Sequence, residues 1–287
     1  MILNAPLITP ENADSYCGPV NARAVNFDGQ IRMLSFRPPA APYGECRGTV
    51  GAERLVELIP RSEWDKIIEQ KDREKSWLID NVATVKCKDQ NGLSYCHSFG
   101  TVSTMEIALV MAGYPYEELS AESVGGPVTG WRNQGADPSD DLEQVEKAGA
   151  CLASYMDRPN SLNPRLWKPG WEHDAMGRRV LEAYDLRLPG KEFDAVVTCA
   201  LLNIPVGLGY AWWGHFIHGG FQVRKNKSGV YEILERNSWG ASYGKDGYFW
   251  LAEGRARGQG TPDWSFAVRV VIPQEDRVTG PQLYTAT

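Results

Sequence analysis

The sequence lacks long apolar runs and clusters of basic residues. Its 287 residues carry 30 lysines and arginines against 36 aspartates and glutamates, a formal net charge of −6. Without a basic patch, neither nucleic acid nor an anionic membrane surface is an expected partner. No stretch reaches the length of a membrane span, and the first residues do not resemble a signal peptide. With 43% hydrophobic residues, we expect a soluble globular protein with a well-filled core.

Cysteine is also scarce and irregularly spaced. The six cysteines are Cys17, Cys46, Cys87, Cys96, Cys151 and Cys199. They form no Cys-x-x-Cys pair, and no Cys/His cluster has the spacing of a zinc site. We therefore expect no metal site and no cofactor.

One stretch, residues 89–100, combines several features of a nucleophilic site. Gln90 lies in a glycine-containing loop six residues before Cys96. From Cys96 onward, apolar residues recur at the helical period: Phe99, Val102, Met105, Leu109 and Ala112. Cys96 is thus expected at the positive end of a helix, where thiolate is favoured over thiol. Gln90 could then donate its amide N–H to the carbonyl under attack.

Two later motifs offer a base and a group to orient it. Both His215 and His218 lie on a strand-like run, and their odd spacing places them on opposite faces, so only one can face a cleft. Asn237 opens the run Asn-Ser-Trp-Gly after another strand-like segment. Its amide could bond the far ring nitrogen of the histidine, with Trp239 shielding that bond from water.

Taken together, these motifs resemble those of the papain-like cysteine peptidases. The resemblance runs from about Trp77 to Pro273. It implies an α+β, two-lobed fold, with a helical lobe, an antiparallel β-barrel-like lobe and the active-site cleft between them. Because Gly-His followed by two apolar residues matches the family, it also selects His215 over His218. The site residues that it implies are the nucleophile Cys96, the base His215, the orienting Asn237, the oxyanion donor Gln90, and the substrate-binding Gly125, Gly126 and Trp239.

The glycine pair and the vicinity of the nucleophile leave alternatives open. Gly125 and Gly126 either line the substrate side of the cleft or form a turn after a helix. His97 stands where the family has tryptophan, so it either alters the pKa of the thiol or replaces that tryptophan in packing. Leu93 stands where secreted relatives have a disulfide cysteine, which favours six free thiols in a reducing compartment such as the cytoplasm.

We expect three segments along the chain. Residues 1–75 form an N-terminal extension without the helical character of the family's pro-segments, residues 76–190 the helical lobe, and residues 191–287 the β lobe. The extension either straps across the surface, or occludes the site or docks onto a partner. Within the helical lobe, the pattern over residues 173–184 predicts a helix.

The resemblance implies a cysteine peptidase that acts on a protein or peptide substrate and cleaves peptide or isopeptide bonds. If an amine replaced water, the same site would catalyse transpeptidation. The alternative is a papain-like fold kept as a structural or binding component of a larger assembly, possible also in a virion. The four catalytic groups favour the enzyme, because a structural protein has no need to keep them together.

Overall fold

The computed structural model describes residues 4–272. Residues 1–3 and 273–287 lie outside the described residues. They include Pro273, the start of the expected first segment and the end of the expected third segment. The helices are α1 (Ala13–Cys17), α2 (Arg61–Glu74), α3 (Leu78–Asn81), α4 (Cys96–Met111), α5 (Glu122–Thr129), α6 (Pro138–Ala148), α7 (Trp171–Ala175) and α8 (Glu192–Leu201). The strands are β1 (Leu7–Ile8), β2 (Ala24–Phe27), β3 (Gln30–Met33), β4 (Val50–Gly51), β5 (Arg179–Asp185), β6 (Val206–Tyr210), β7 (His215–Lys225), β8 (Tyr231–Arg236), β9 (Tyr248–Ala252) and β10 (Trp264–Ile272).

Eight strands form one sheet, and β2 and β3 form a separate hairpin. The order in the large sheet is β1-β9-β8-β7-β6-β10-β5-β4, with antiparallel pairs in the centre and parallel pairs at the two edges. Every residue of β6 and β8 is buried, which indicates that both faces of the central strands are covered. Among the described strands, β1 and β4 remain as edges, so the sheet is not closed into a barrel.

The central helix α4 packs directly on β7. It is buried without a break from Cys96 to Ile107. Gly100 allows the close approach, because a Cβ at that position would lie 2.5 Å from the ring of Phe216. The start of α4 is thereby held beside the start of β7, where His215 lies. The α+β, two-lobed expectation is confirmed.

The predicted helix over residues 173–184 is wrong. Helix α7 ends at Ala175, and after Gly177 the chain enters β5. Tyr184 pairs with Ala267 of β10 in an antiparallel ladder. Short apolar runs fit both helical and strand periodicity. Here residues 179–185 form a strand, because they pair with an edge that β10 would otherwise leave open.

The N-terminal residues are integrated into the body of the protein. Strand β1 adds to β9, and β4 adds to β5. Trp64 of α2 is fully buried, with its ring 4.8 Å from that of Tyr231. Strands from all three expected segments share one sheet, so the sheet does not mark the boundaries between the segments. Those boundaries stay predictions. No helix within residues 4–272 is both long and apolar enough to cross a membrane.

Candidate active site

Cys96 is the first residue of α4 and is fully buried. The backbone groups of His97 and Phe216 face its sulfur. Phe216 directly follows His215 on β7, so the sequence-predicted nucleophile and base lie at adjoining ends of two packed elements. The first turn of α4 directs its free N–H groups toward this point, as the sequence predicts.

His215 and Asn237 are joined by a hydrogen bond of 2.8 Å between Nε2 and the side-chain oxygen Oδ1. The backbone N–H of Ser238 also donates to Oδ1, at 2.7 Å, which identifies this atom as the acceptor. Nε2 therefore carries the proton, and Nδ1 keeps its lone pair. In the described chain Nδ1 has no hydrogen-bond partner, so it is the ring atom left for proton transfer.

Two tryptophans enclose this imidazole. The ring centroids of Trp213 and Trp239 lie 5.0 and 4.9 Å from that of His215. Trp239, His215 and Asn237 are all fully buried, and the shielding of the His215–Asn237 bond by Trp239 stays a prediction. Its role in substrate binding stays a prediction.

Gln90 is fixed by the turn that follows Asn237. Its Oε1 accepts a hydrogen bond of 2.7 Å from the Ser238 hydroxyl, and its Nε2 donates one of 2.8 Å to the Leu93 carbonyl. The backbone N–H of Gln90 also donates to the Ser238 carbonyl at 2.8 Å. Since Nε2 carries two hydrogens, the bond to Leu93 leaves one for an oxyanion.

The other histidine of β7 is committed elsewhere. His218 Nε2 accepts a hydrogen bond of 3.1 Å from Arg236 Nε. Burial, together with the positive charges of Arg236 and Lys88, holds the pKa of His218 well below its usual value. His218 is therefore a neutral interior residue whose ring nitrogen serves Arg236.

Residues 31–36, which we term the covering segment, lie over the site. The Ser35 hydroxyl donates to the Ser94 carbonyl at 2.9 Å and lies 3.4 Å from Cys96 Sγ. The backbone N–H of Phe36 donates to the carbonyl of Gly214, the residue before His215, at 2.9 Å. In this arrangement a serine hydroxyl, rather than a carbonyl carbon, faces the sulfur.

The side chains of the covering segment fix it at both ends. Phe36 is 7% exposed, and its ring lies 5.9 Å from that of Phe216. Arg32 is 2% exposed and forms a two-pronged ion pair with Asp89, the residue before Gln90. The same guanidinium donates to the Trp239 carbonyl at 3.1 Å. The covering segment is thus bonded to the loops that carry Gln90 and Trp239.

Burial under this segment sets the charge state of the site. Burial raises the pKa of the Cys96 thiol, and the hydrogen bonds from Ser35 and the neighbouring backbone only partly oppose it. Burial also lowers the pKa of His215 to about 4, against the opposing bond to Asn237. Both shifts favour a neutral thiol and a neutral imidazole in the covered site. Desolvation thus works against the thiolate that the helix terminus favours, and the charge state expected from the sequence stays a prediction.

Solved structures resemble this one in fold. Xylellain, a cysteine protease from Xylella fastidiosa, matches with a TM-score of 0.58 at 14% identity, over 82% of this chain and 95% of that one. The bromelain protease from Ananas comosus matches with a TM-score of 0.55 at 15% identity, over 67% of this chain and 96% of that one. The fold is papain-like.

The likeness is one of structure rather than of sequence. Digestive procathepsin L 3 of Tenebrio molitor matches with a TM-score of 0.53 at 16% identity, over 64% of this chain. The match spans 66% of that precursor, just under two thirds of its length. No family model matches the sequence, and no curated protein matches it.

Within this papain-like fold, the glycine pair is helical. Gly125 and Gly126 lie inside α5, so of the two alternatives the turn after a helix is not found there. A Cβ on Gly125 would lie 2.6 Å from the Ser98 hydroxyl oxygen, and one on Gly126 would lie 2.4 Å from the Trp131 ring. Close packing of the helix accounts for both glycines, and their substrate-binding role stays a prediction.

A different glycine meets the covering segment. A Cβ on Gly135 would lie 1.9 Å from the Ser35 carbonyl oxygen, so only glycine allows this backbone approach. Sequence reasoning missed this position. The one available signal is a lone glycine between two short helical patterns, which is also typical of an ordinary loop.

All six cysteines are present as free thiols, and the cellular compartment stays a prediction. In the part of the chain that the structure describes, no three His, Cys, Asp or Glu side chains are grouped closely enough to hold a metal ion.

Proposed function

We propose that this protein is a cysteine peptidase in which Cys96 is the nucleophile, His215 the base, Asn237 its orienting partner and Gln90 the oxyanion donor. The observation that carries the proposal is the 2.8 Å bond from His215 Nε2 to Asn237, which leaves Nδ1 as the basic ring atom. The start of α4, with Cys96, adjoins the same end of β7. The substrate class that fits is a protein or peptide.

The reaction follows from these positions. His215 Nδ1 takes the proton from Cys96 Sγ, and the sulfur attacks the carbonyl carbon of the scissile amide. The negative charge on the carbonyl oxygen is stabilised by Gln90 Nε2 and by the Cys96 backbone N–H. The imidazolium then returns its proton to the leaving amine, and water hydrolyses the thioester. An isopeptide amide would react in the same way, and an amine in place of water would give a transpeptidation product.

The covering segment makes the described state latent. Ser35 lies against the sulfur, and the carbonyl of Gly214 is bonded to the N–H of Phe36. A substrate peptide cannot reach the thiol while these contacts persist. Of the two roles that the sequence leaves for residues 1–75, these contacts support occlusion over a surface strap. Release requires movement of residues 31–36, by a binding partner, by proteolysis or by a change in conditions.

The test combines a mechanism-based label with a peptide assay. The label is E64, the inhibitor in the bromelain structure. The variant Phe36→Ala, which removes the ring that packs on Phe216, is expected to open the site. We expect one E64 adduct, on Cys96, and hydrolysis of a fluorogenic peptide library by Phe36→Ala. Both signals should be absent from the double variant Phe36→Ala/Cys96→Ser.

If the opened variant is folded yet forms no adduct and cleaves no peptide, the peptidase assignment is wrong. A structural or binding role in a larger assembly would then replace it.

A further inference from the structure

The helix that carries the nucleophile has no local cap. Tyr95, at its N-cap, makes no capping hydrogen bond with its side chain, and its first turn contains no acidic residue. The turn is instead held from a distance. Asn133 Oδ1 accepts a bond of 2.6 Å from the backbone N–H of Ser94, and the Tyr95 hydroxyl lies 2.5 Å from Thr129 Oγ1.

A third tether begins at the residue after the nucleophile. His97 Nδ1 lies 2.7 Å from Asp141 Oδ2, and both side chains are fully buried. Within residues 4–272, His97 Nε2 and Asp141 Oδ1 have no other partner. All the polar bonding of this imidazole is therefore directed to one carboxylate in the first half of α6. Because both side chains are buried, loss of either one would leave the other without a hydrogen-bond partner, which is costly.

The tether bears on the nucleophile through the backbone. The peptide N–H of His97 is one of the groups that face Cys96 Sγ and lower the pKa of its thiol. Of these groups, Ser35 leaves with the covering segment, whereas His97 and Phe216 stay. Once the site is open, the N–H of His97 remains to stabilise a thiolate.

We propose that His97 is a positioning residue: its ring, anchored on Asp141, holds its own backbone N–H against the sulfur of Cys96. The inference rests on the proposed cysteine peptidase and deepens it. Of the two roles that the sequence leaves for His97, it favours an effect on the pKa of the thiol over packing in place of the tryptophan. The imidazole is bonded to Asp141 and acts on the thiol through the peptide group.

The charged groups around the tether are few. Burial raises the pKa of Asp141, and the adjoining imidazole opposes that effect. Asp137 and Asp140, near the start of the same helix, raise the pKa of Asp141 further. At the N-cap of α4, the ring of Tyr95 lies 5.4 Å from that of His97.

The experiment measures the pH midpoint of iodoacetamide labelling at Cys96 in the Phe36→Ala background, by mass spectrometry. His97→Ala and Asp141→Ala should each move the midpoint upward by about one pH unit. The double variant should move it no further, because both residues act through one bond. Asp141→Asn keeps an acceptor for His97 Nδ1, so its labelling midpoint should stay close to that of the Phe36→Ala parent.

The matched control is Leu142→Ala. Leu142 follows Asp141 on α6 and is 1% exposed, so this variant destabilises the helix without touching the tether. It should lower the thermal midpoint and leave the labelling midpoint in place. If His97→Ala leaves the labelling midpoint unchanged, or Leu142→Ala shifts it equally, the positioning role is wrong.

The two proposals fail differently. If the peptidase assignment is wrong, Cys96 shows no labelling below pH 8 even with His97 intact, and the positioning role is overturned with it. If only the positioning role is wrong, labelling below pH 8 is present and does not respond to His97→Ala. Should His97→Ala fail to fold, Asp141→Ala and Asp141→Asn provide the same comparison from the other side of the bond.

Discussion

Removal of one aromatic ring should open the site. Phe36 packs on Phe216, and a Cβ on Gly209 would lie 2.3 Å from its ring, so the side chain fills a fitted space. Replacement of a buried phenylalanine by alanine costs about 3 to 5 kcal/mol. We take the lower value, because Phe36 keeps a small exposed fraction, 7%. A change of about 3 kcal/mol alters the ratio of open to covered protein roughly a hundredfold.

The assay is the rate of Cys96 alkylation by iodoacetamide at pH 8, read by mass spectrometry. Cys96 is fully buried under the covering segment, so its labelling requires opening. When closing is fast, the observed rate is proportional to the open fraction. Phe36→Ala should therefore raise the rate at Cys96 roughly a hundredfold, with the other five cysteines as internal references.

The matched control is Phe193→Ala. Phe193 is 4% exposed and lies on α8, where its ring is 6.5 Å from that of Trp64. This variant should lose a similar free energy of unfolding and leave Cys96 labelling nearly unchanged. An equal rise in both variants, or no rise in Phe36→Ala, would refute the idea that the covering segment limits access to the thiol.

Three further predictions concern the anchor, the charge state and the oxyanion donor. Arg32→Ala should also raise Cys96 labelling, and Asp89→Asn should raise it less, since Arg32 keeps its bond to the Trp239 carbonyl; the same alkylation assay measures both. In Cys96→Ser, where no thiolate can pair with the imidazole, acid should favour opening: with the pKa of His215 at about 4 when covered, against 6.5 ordinarily, the open form binds a proton first as the pH falls from 6.5 to 4. Hydrogen exchange of residues 31–36, corrected for intrinsic rates, should therefore increase by up to about tenfold per pH unit, and His215→Gln should remove most of this dependence. In the opened variant, Gln90→Ala should lower kcat by about a hundredfold with little change in KM; an unchanged kcat would exclude Gln90 as an oxyanion donor.

The catalytic motifs could be predicted because each is a local pattern. The spacing of Gln90 and Cys96 lies within one loop and one helix turn, and the helix from Cys96 follows from its apolar period. Asn237 is recognisable by the tryptophan and glycine that follow it. Such features depend on neighbours in sequence, so the chain alone predicts them.

The cover and the tether could not be predicted, because their partners are distant in sequence. Ser35 and Cys96 are separated by 61 residues, and His97 and Asp141 by 44. No sequence pattern around Ser35 indicates that this segment lies over Cys96, because its short strand-like pattern is equally typical of a surface loop. The direction in which burial moves the pKa of the Cys96 thiol could not be predicted for the same reason: burial of Cys96 depends on this distant segment.

The central claim is that Cys96 and His215 form a reactive pair once the covering segment is displaced. Its most direct test is the pH dependence of Cys96 alkylation in Phe36→Ala, compared with Phe36→Ala/His215→Ala. The account predicts rapid labelling of Cys96 well below pH 7 in the first protein and slow labelling in the second, as a thiolate–imidazolium pair requires. Labelling of Cys96 that is no faster than that of the other cysteines, or that begins only above pH 8, would contradict it.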